Sequence, residues 1–519
     1  MATESKGGDG APAGGGDAAG GAGGVGGTGG ASVPVIADGF DVDAVVSRYS
    51  GLGRLQRLRF IAAHADGATS RAAAFAAIDQ AKAGGWNTRL YQQVVDATPD
   101  DQLDDAHRLD TAWMEMVDKK AEQTLAVLER DLNTHKANMV KESIRNAFND
   151  LARFFEQRGD LTNALKCYNS QAHYCSAYQH DMERCVNGAR VAILMGEPRS
   201  AESYVAKAEN MLEQDAKRSA GDAAARGPSF DAVAISKVRV LAGLVALTAR
   251  DYRRAAWNLW DCDLALGDSF NELVAAADVG VIAGLCALAS YDRVTLRERV
   301  LKPKASDGES AGKPSGASLL ELAPKAESVK GFLELAPKVR DLLQDFGASR
   351  YAACLGALEE LRPSLLLDVH LREHVVALYQ QIRTAAILQY FSPYSKVSMV
   401  TMAEALRCSV EDLEAELAQL IMDDKLTARI DSQKKLLQTR QSNERVATYT
   451  RALEVGAAFT RDIKAMVLRS NLERNGLEIR ADRRGGGAGG GGGGGMRVDG
   501  GGPGAMRGAG GGGPFEGAA

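Results

Sequence analysis

From residue 52 to residue 479 apolar side chains recur every three or four positions with charged residues between them, the period of helices that bury one stripe. Leu55, Leu58, Phe60 and Ile61 stand among arginines and predict an amphipathic helix over 52–63. Residues 104–133 and 141–157 carry the same pattern. Ala, Leu, Glu, Arg and Lys dominate while β-branched runs are scarce, so intrinsic propensity agrees with the period.

A second order appears at residue 148. Phe148, Leu151, Ala152, Phe155, Gly159, Ala164 and Tyr168 have the spacing of a tetratricopeptide helix pair. The register returns 37 residues later in Gly188, Ala189, Ala192, Gly196, Ala201 and Val205. It recurs loosely in Gly243, Ala246, Asp251, Ala255 and Leu259. Small residues suit places where paired helices approach closely, and each pair leaves an apolar face that its neighbour covers. The expected product is a solenoid; a generic helical bundle with chance small residues is the alternative. Residues 216–229 and 303–318 are small, polar and punctuated by Gly and Pro, as loops or linkers are. After them, 328–346, 351–360 and 371–391 read as helices, separated by Gly347-Ala-Ser and by Pro363.

Near residue 399 the pattern changes. A short helix over 399–406 and a turn at Arg407-Cys408 precede Ser409, an N-cap with an acid three residues on. The helix it opens carries Val410, Leu413, Leu417, Leu420 and Ile421 on one face. Leu426, Ala428 and Ile430 then alternate with Lys425, Thr427 and Arg429, a half-buried strand. The polar turn 431–434 leads into Leu436, Leu437 and Gln438. Helix, turn, helix and hairpin together make a winged helix, followed by a last helix over 443–479. On that helix Val446, Tyr449, Leu453 and Ala457 share one face, and Phe459, Ile463, Met466 and Val467 extend it to roughly half the circumference. So broad a stripe suits either packing in its own domain or a bundle shared with other chains.

Charge and composition narrow the function. The 519 residues hold 62 Lys+Arg against 67 Asp+Glu, which leaves no bulk positive charge for nucleic acid. The second helix of the winged-helix pattern carries Glu411, Asp412, Glu414, Glu416, Asp423 and Asp424 with no base before Lys425, a face that repels a phosphate backbone. Of the 57 glycines, 34 fall in residues 1–30 and 485–519, so 1–38 and 481–519 are expected to be disordered tails. No apolar run is long enough to span a membrane, and the N-terminus lacks the features of a signal peptide. Seven cysteines without a C-x-x-C pair fit neither a disulfide framework nor a structural zinc site, as expected in a reducing intracellular compartment. The one catalytic-looking string is His370-Leu-Arg-Glu373-His374. If helical, its histidines share a face and could ligate zinc beside a glutamate base, but no third ligand is apparent. No phosphate loop, nucleophile elbow or dinucleotide fingerprint occurs, and no cofactor is implied.

A helical-repeat stack leading into a winged helix and a final helix resembles the PCI family, the scaffold subunits shared by the proteasome lid, the COP9 signalosome and a translation initiation factor. Local strings resemble the first-subunit branch of the signalosome: Tyr49-Ser-Gly-Leu52 with Arg54-Leu-Gln-Arg57, Lys141-Glu-Ser-Ile144, and Gly159 to Tyr168. Leu365-Leu-Leu-Asp368, Tyr379-Gln-Gln-Ile382 and Gln389 to Tyr394 do the same. The resemblance runs from about residue 40 to residue 480 and excludes the two insertions and both tails. It implies an all-α chain: a tetratricopeptide-like solenoid over 39–302, a linker over 303–318, a PCI domain over 319–440 with its winged helix at about 373–440, and a C-terminal helix over 441–480. It also implies a non-catalytic subunit, found in cytoplasm and nucleus, of the complex that removes the ubiquitin-like modifier Nedd-eight from cullin-RING ligases. The implied partners are other PCI and metalloprotease-fold subunits, met through the strand edges around Leu426, Ala428, Ile430, Leu436 and Leu437 and through Tyr449, Leu453, Phe459, Ile463 and Val467. The rival reading within the family is a subunit of the proteasome lid.

Overall fold

The computed structural model describes residues 41–84, 86–98, 107–221, 230–301, 326–439 and 444–476. Both glycine-rich tails, the 303–318 linker and residues 222–229 of the first insertion lie outside the described residues.

Four helices open the chain: α1 (Val42–Val46), α2 (Gly51–His64), α3 (Gly67–Gly84) and α4 (Thr88–Ala97). The alanine face of α3, with Ala73, Ala77 and Ala81, lets α2 and α4 close over it, and Leu58, Ile78 and Tyr91 fill a small core of their own. Among the described residues, Trp113 and Met114 just after these helices and Leu366 and Leu367 far along the chain also pack against that core. The long α5 (Thr111–Ala137), capped by Asp110, buries little besides Val117, Ala121 and Leu132.

The stack that follows consists of α6 (Lys141–Arg158) with α7 (Leu161–Gln171), α8 (Tyr178–Met195) with α9 (Pro198–Gly221), and α10 (Ala232–Thr248) with α11 (Tyr252–Trp260). These are the three pairs read from the small-residue repeat. Gly159 and Gly196, at φ +80° and +75°, end the first helix of two pairs in the left-handed conformation. Asp160 and Asp251 then cap the second helices by accepting from the backbone N–H groups of Asn163 and Arg254. Gly188 shows why small residues recur: a Cβ there would lie 2.8 Å from the ring of Tyr204 on the paired helix.

The described backbone corrects the reading at four places. Helix α9 continues through Gly221, six residues into the expected loop. Between α12 (Ala276–Ser290), the short α13 (Arg293–Leu296) with its π turn, and α16 (Tyr351–Leu366), the expected helix 328–346 is two helices, α14 (Ala326–Leu335) and α15 (Pro337–Gly347). Pro337 starts the second because its missing N–H costs nothing at a first turn. Pro363, by contrast, lies inside α16 instead of ending it, on a stretch where Glu359, which loses its donor, is exposed. A turn over 367–374 then leads to α17 (Val375–Phe391).

The winged helix has one strand more than the pattern revealed. Strand β1 (Lys396–Ser398) precedes α18 (Met399–Leu406) and α19 (Val410–Met422), followed by β2 (Ala428–Asp431) and β3 (Leu436–Thr439). The strand order is β1-β3-β2, antiparallel throughout. One hydrophobic core runs unbroken from Met182 on α8 through α12 to Leu437 in β3, so the stack and the winged helix share an interior. The chain divides after Arg440, and the second unit contains α20 (Glu444–Arg474). No helix among the described residues is long and apolar enough to cross a membrane.

Candidate functional site

The hairpin is anchored from inside. Leu437 faces Val397 on one side of its strand and Ile430 on the other, and is fully buried. Leu426 and Ala428 are buried with it, while Ile430 and Leu436 are half-buried. Because β3 is the middle strand, the expectation that Leu436 to Gln438 offer an edge is corrected: both sides of that strand are already paired. The free edges are the outer sides of β2 and of the three-residue β1.

Helix α19 buries Leu413, Leu417 and Leu420, and the Ser409 hydroxyl oxygen accepts from the Asp412 N–H at 3.1 Å. Its acids are partly spoken for. Glu416 takes both oxygens to Arg383 on α17 at 2.8 and 3.0 Å, and Lys435 donates to Glu414 at 2.7 Å. That bond and one from Ser432 hold the Glu414 carboxyl below the usual carboxylate range. Glu411, Asp412 and Asp424 remain exposed.

Helix α20 is the reverse of a buried element. Over 31 residues, about 46 Å at 1.5 Å per residue, its large apolar side chains face outward. Tyr449 is 66% exposed, Leu453 57%, Phe459 64%, Ile463 41% and Val467 53%. At 100° per residue these five fall within an arc of about 120°, one continuous apolar face. Contiguous apolar faces of this kind are rarely left exposed on a monomeric soluble protein.

The H-x-x-E-H string is not helical. It lies in the turn over 367–374, which Asp368 organises by accepting from the backbone N–H groups of His370 at 2.8 Å and Leu371 at 3.2 Å. Glu373 is exposed, whereas His374 is buried with its Nδ1 3.4 Å from the Tyr252 hydroxyl. His370 is driven down to about 4 by burial and by the charge of Arg57. The shared helix face that zinc would need is therefore absent, and among the described residues no three His, Cys, Asp or Glu side chains converge as a ligand set.

Beside that turn is a group of charges the sequence did not reveal as a unit. Arg57 on α2 donates to Asp368 at 3.0 Å and to the Leu273 carbonyl at 3.2 Å, lies 3.8 Å from Asp278, and stacks 4.0 Å above the Tyr49 ring. The Tyr49 hydroxyl donates to Asp278. Burial and the neighbouring Asp368 push the Asp278 carboxyl up; for Asp368 burial acts the same way, but Arg57 outweighs it and the net shift is downward. Tyr49, Arg57 and Asp368 stand in strings that carry the family resemblance, whereas nothing in the sequence marked Asp278. A cavity of about 870 Å³ adjoins the group, with Phe60 and Val94 on one wall and Leu194, Leu247 and His374 on the other.

A family model described as 26S proteasome subunit RPN7 matches residues 110–299, and one described as PCI domain matches residues 358–441. The chain is 37% identical over 454 residues to COP9 signalosome complex subunit 1 of Arabidopsis thaliana, covering 87% of this chain and 94% of that protein. It is 36% identical over 377 residues to COP9 signalosome complex subunit 1b of Drosophila melanogaster, covering 73% and 66%. With COP9 signalosome complex subunit 1 of Emericella nidulans it shares 32% identity over 458 residues, covering 86% and 84%. With relatives of that identity aligned across the helix-pair stack and the winged helix alike, this chain belongs to the COP9 signalosome subunit 1 family of PCI-domain proteins.

Proposed function

We propose that this chain is a non-catalytic scaffold subunit of the COP9 signalosome and serves, in cytoplasm and nucleus, the removal of Nedd-eight from cullin-RING ubiquitin ligases. The observation that carries the reading is the exposed apolar face of α20: a helix in water with Tyr449, Leu453, Phe459, Ile463 and Val467 uncovered is complete only inside a bundle. In this reading α20 enters a bundle with helices of other PCI and metalloprotease-fold subunits, and the outer side of β2 extends the sheet of a neighbouring PCI domain. The stack up to residue 302 projects from the PCI region, 319–440, toward cullin-RING substrate. No cofactor takes part.

A second reading, a subunit of the proteasome lid, is favoured by the RPN7 model match over 110–299. Affinity purification of the tagged full-length chain from its own cells, followed by mass spectrometry, separates the two. Signalosome subunits at near-equal abundance are the expected result. Co-purifying proteasomal ATPases without them would overturn the assignment.

A further inference from the structure

The first four helices have a core largely of their own, joined by Trp113, Met114, Leu366 and Leu367, and among their contacts with the rest of the chain two differ in character. One is a packed joint: Trp86 meets Phe154 edge-to-face at 5.8 Å, and Asp118 accepts from both Thr88 at 2.9 Å and Arg158 at 3.0 Å. The other is the charge group around Arg57. There α2 lies directly on the backbone of 271–273: the Ser50 N–H donates to the Asn271 carbonyl at 3.3 Å, and a Cβ on Gly53 would collide with the Glu272 carbonyl oxygen. Apart from Leu366 and Leu367 packed against the arm's core, Gln56 donating to the Leu194 carbonyl at 3.4 Å and Arg372 over Phe60, the seam beside it is the 870 Å³ cavity. A hollow gives little cohesion, because its walls lack partner atoms. The cation is what orients the seam, since one guanidinium fork reaches a carboxylate on the 367–374 turn, a carbonyl at residue 273 and the neighbourhood of a carboxylate on α12.

We propose that α1–α4 form a latched arm, with the Trp86–Thr88 joint as its pivot and Arg57 as its latch, and that releasing the latch swings α2 away from Asp278 and Asp368 and opens the cavity. The device is internal to the chain and does not depend on the assembly role proposed above. Breaking a buried pair from one side leaves its carboxylates without their cation, so the latched state is lost sharply and not gradually. The α8–α19 body, which has a continuous core, stays as it is.

Pulsed electron paramagnetic resonance on the full-length chain tests this. Spin labels go on exposed Ala83 in the arm and exposed Ala206 in the stack, with a control pair on Ala206 and Glu404, in a background where the two partly accessible cysteines, Cys175 and Cys408, are serine. In Arg57→Met the Ala83–Ala206 distance distribution should broaden or shift while the control pair stays unchanged. Hydrogen exchange should quicken by about tenfold or more in α2 and the 367–374 turn only. An unchanged Ala83–Ala206 distribution would overturn the latch. If Arg57→Met loses helicity along the whole chain, Arg57→Lys decides: lysine keeps the charge but cannot bond the carboxylate and the carbonyl in one fork. Broadening with native helicity supports the latch, and a native distribution rejects it.

Discussion

Replacing Leu453, Phe459 and Ile463 together with aspartate separates a helix that waits for partners from one that merely decorates the surface. In the single chain these side chains are 57%, 64% and 41% exposed, so their loss removes little packing. Stability of the isolated protein should change by about 0.5 kcal/mol or less, the usual range for surface substitutions. In a bundle the same positions would become fully buried. Burying a large apolar side chain completely is worth about 1.5–3 kcal/mol. With about half of each still available, the three together contribute roughly 2.5–5 kcal/mol to association. That corresponds to a weakening of about 10²–10⁴-fold, before the added cost of desolvating three carboxylates. Co-expression with the other subunits and size-exclusion chromatography reads the outcome directly. The triple variant should run as a folded lone chain with wild-type circular dichroism. Glu454→Gln, on the opposite side of the same helix, should enter the complex normally. Wild-type incorporation of the triple variant would refute the reasoning, and so would unfolding of the lone variant, because then the face was packed already.

Two further outcomes test the fold. Gly188→Ala should cost about 1–3 kcal/mol in urea unfolding, because its methyl would meet the Tyr204 ring at 2.8 Å and the paired helices must separate; a neutral effect would deny the close approach. His370 has a second consequence through its lowered pKa of about 4, set by burial and Arg57. Below about pH 6.5 the unfolded chain takes up a proton that the folded chain refuses, so stability falls as pH drops from 6.5 toward 4. Between pH 7 and pH 5 the wild type should lose roughly 1–2 kcal/mol more than His370→Gln, the upper end reduced because the ring is partly exposed. Parallel pH profiles for the two proteins would show that folding does not lower the pKa of the ring.

Periodicity made the helix pairs legible because each pair is a local event. Ala152 must meet its partner helix within about twenty residues, and the turn glycine between them leaves a readable gap. The same logic found α19 and the hairpin, where Ser409 announces a start and alternation over 425–430 announces a strand. It missed β1, since three residues are too few for a period to show, and with it the fact that β3 is the middle strand. Leu436 and Leu437 read as an edge for that reason alone: the hairpin pattern specifies that two strands pair, and it says nothing about a third strand about forty residues earlier.

The charge group around Arg57 was out of reach for a stronger reason. Its members stand 229 and 311 residues apart in the pairings that matter, Tyr49 with Asp278 and Arg57 with Asp368. No period or motif spans such a separation, and each residue taken singly looks like an ordinary surface charge or aromatic. What the chain did contain was an unexplained likeness: strings around Tyr49, Arg57 and Asp368 that matched a family without performing any visible chemistry. Their meeting in space supplies the missing reason. An arginine buried against two carboxylates is expensive to keep and poor as a source of net stability, so its use must lie in specifying one arrangement of parts. Here the parts are an arm with its own core and a body with another, and the arrangement decides whether the hollow between them is closed.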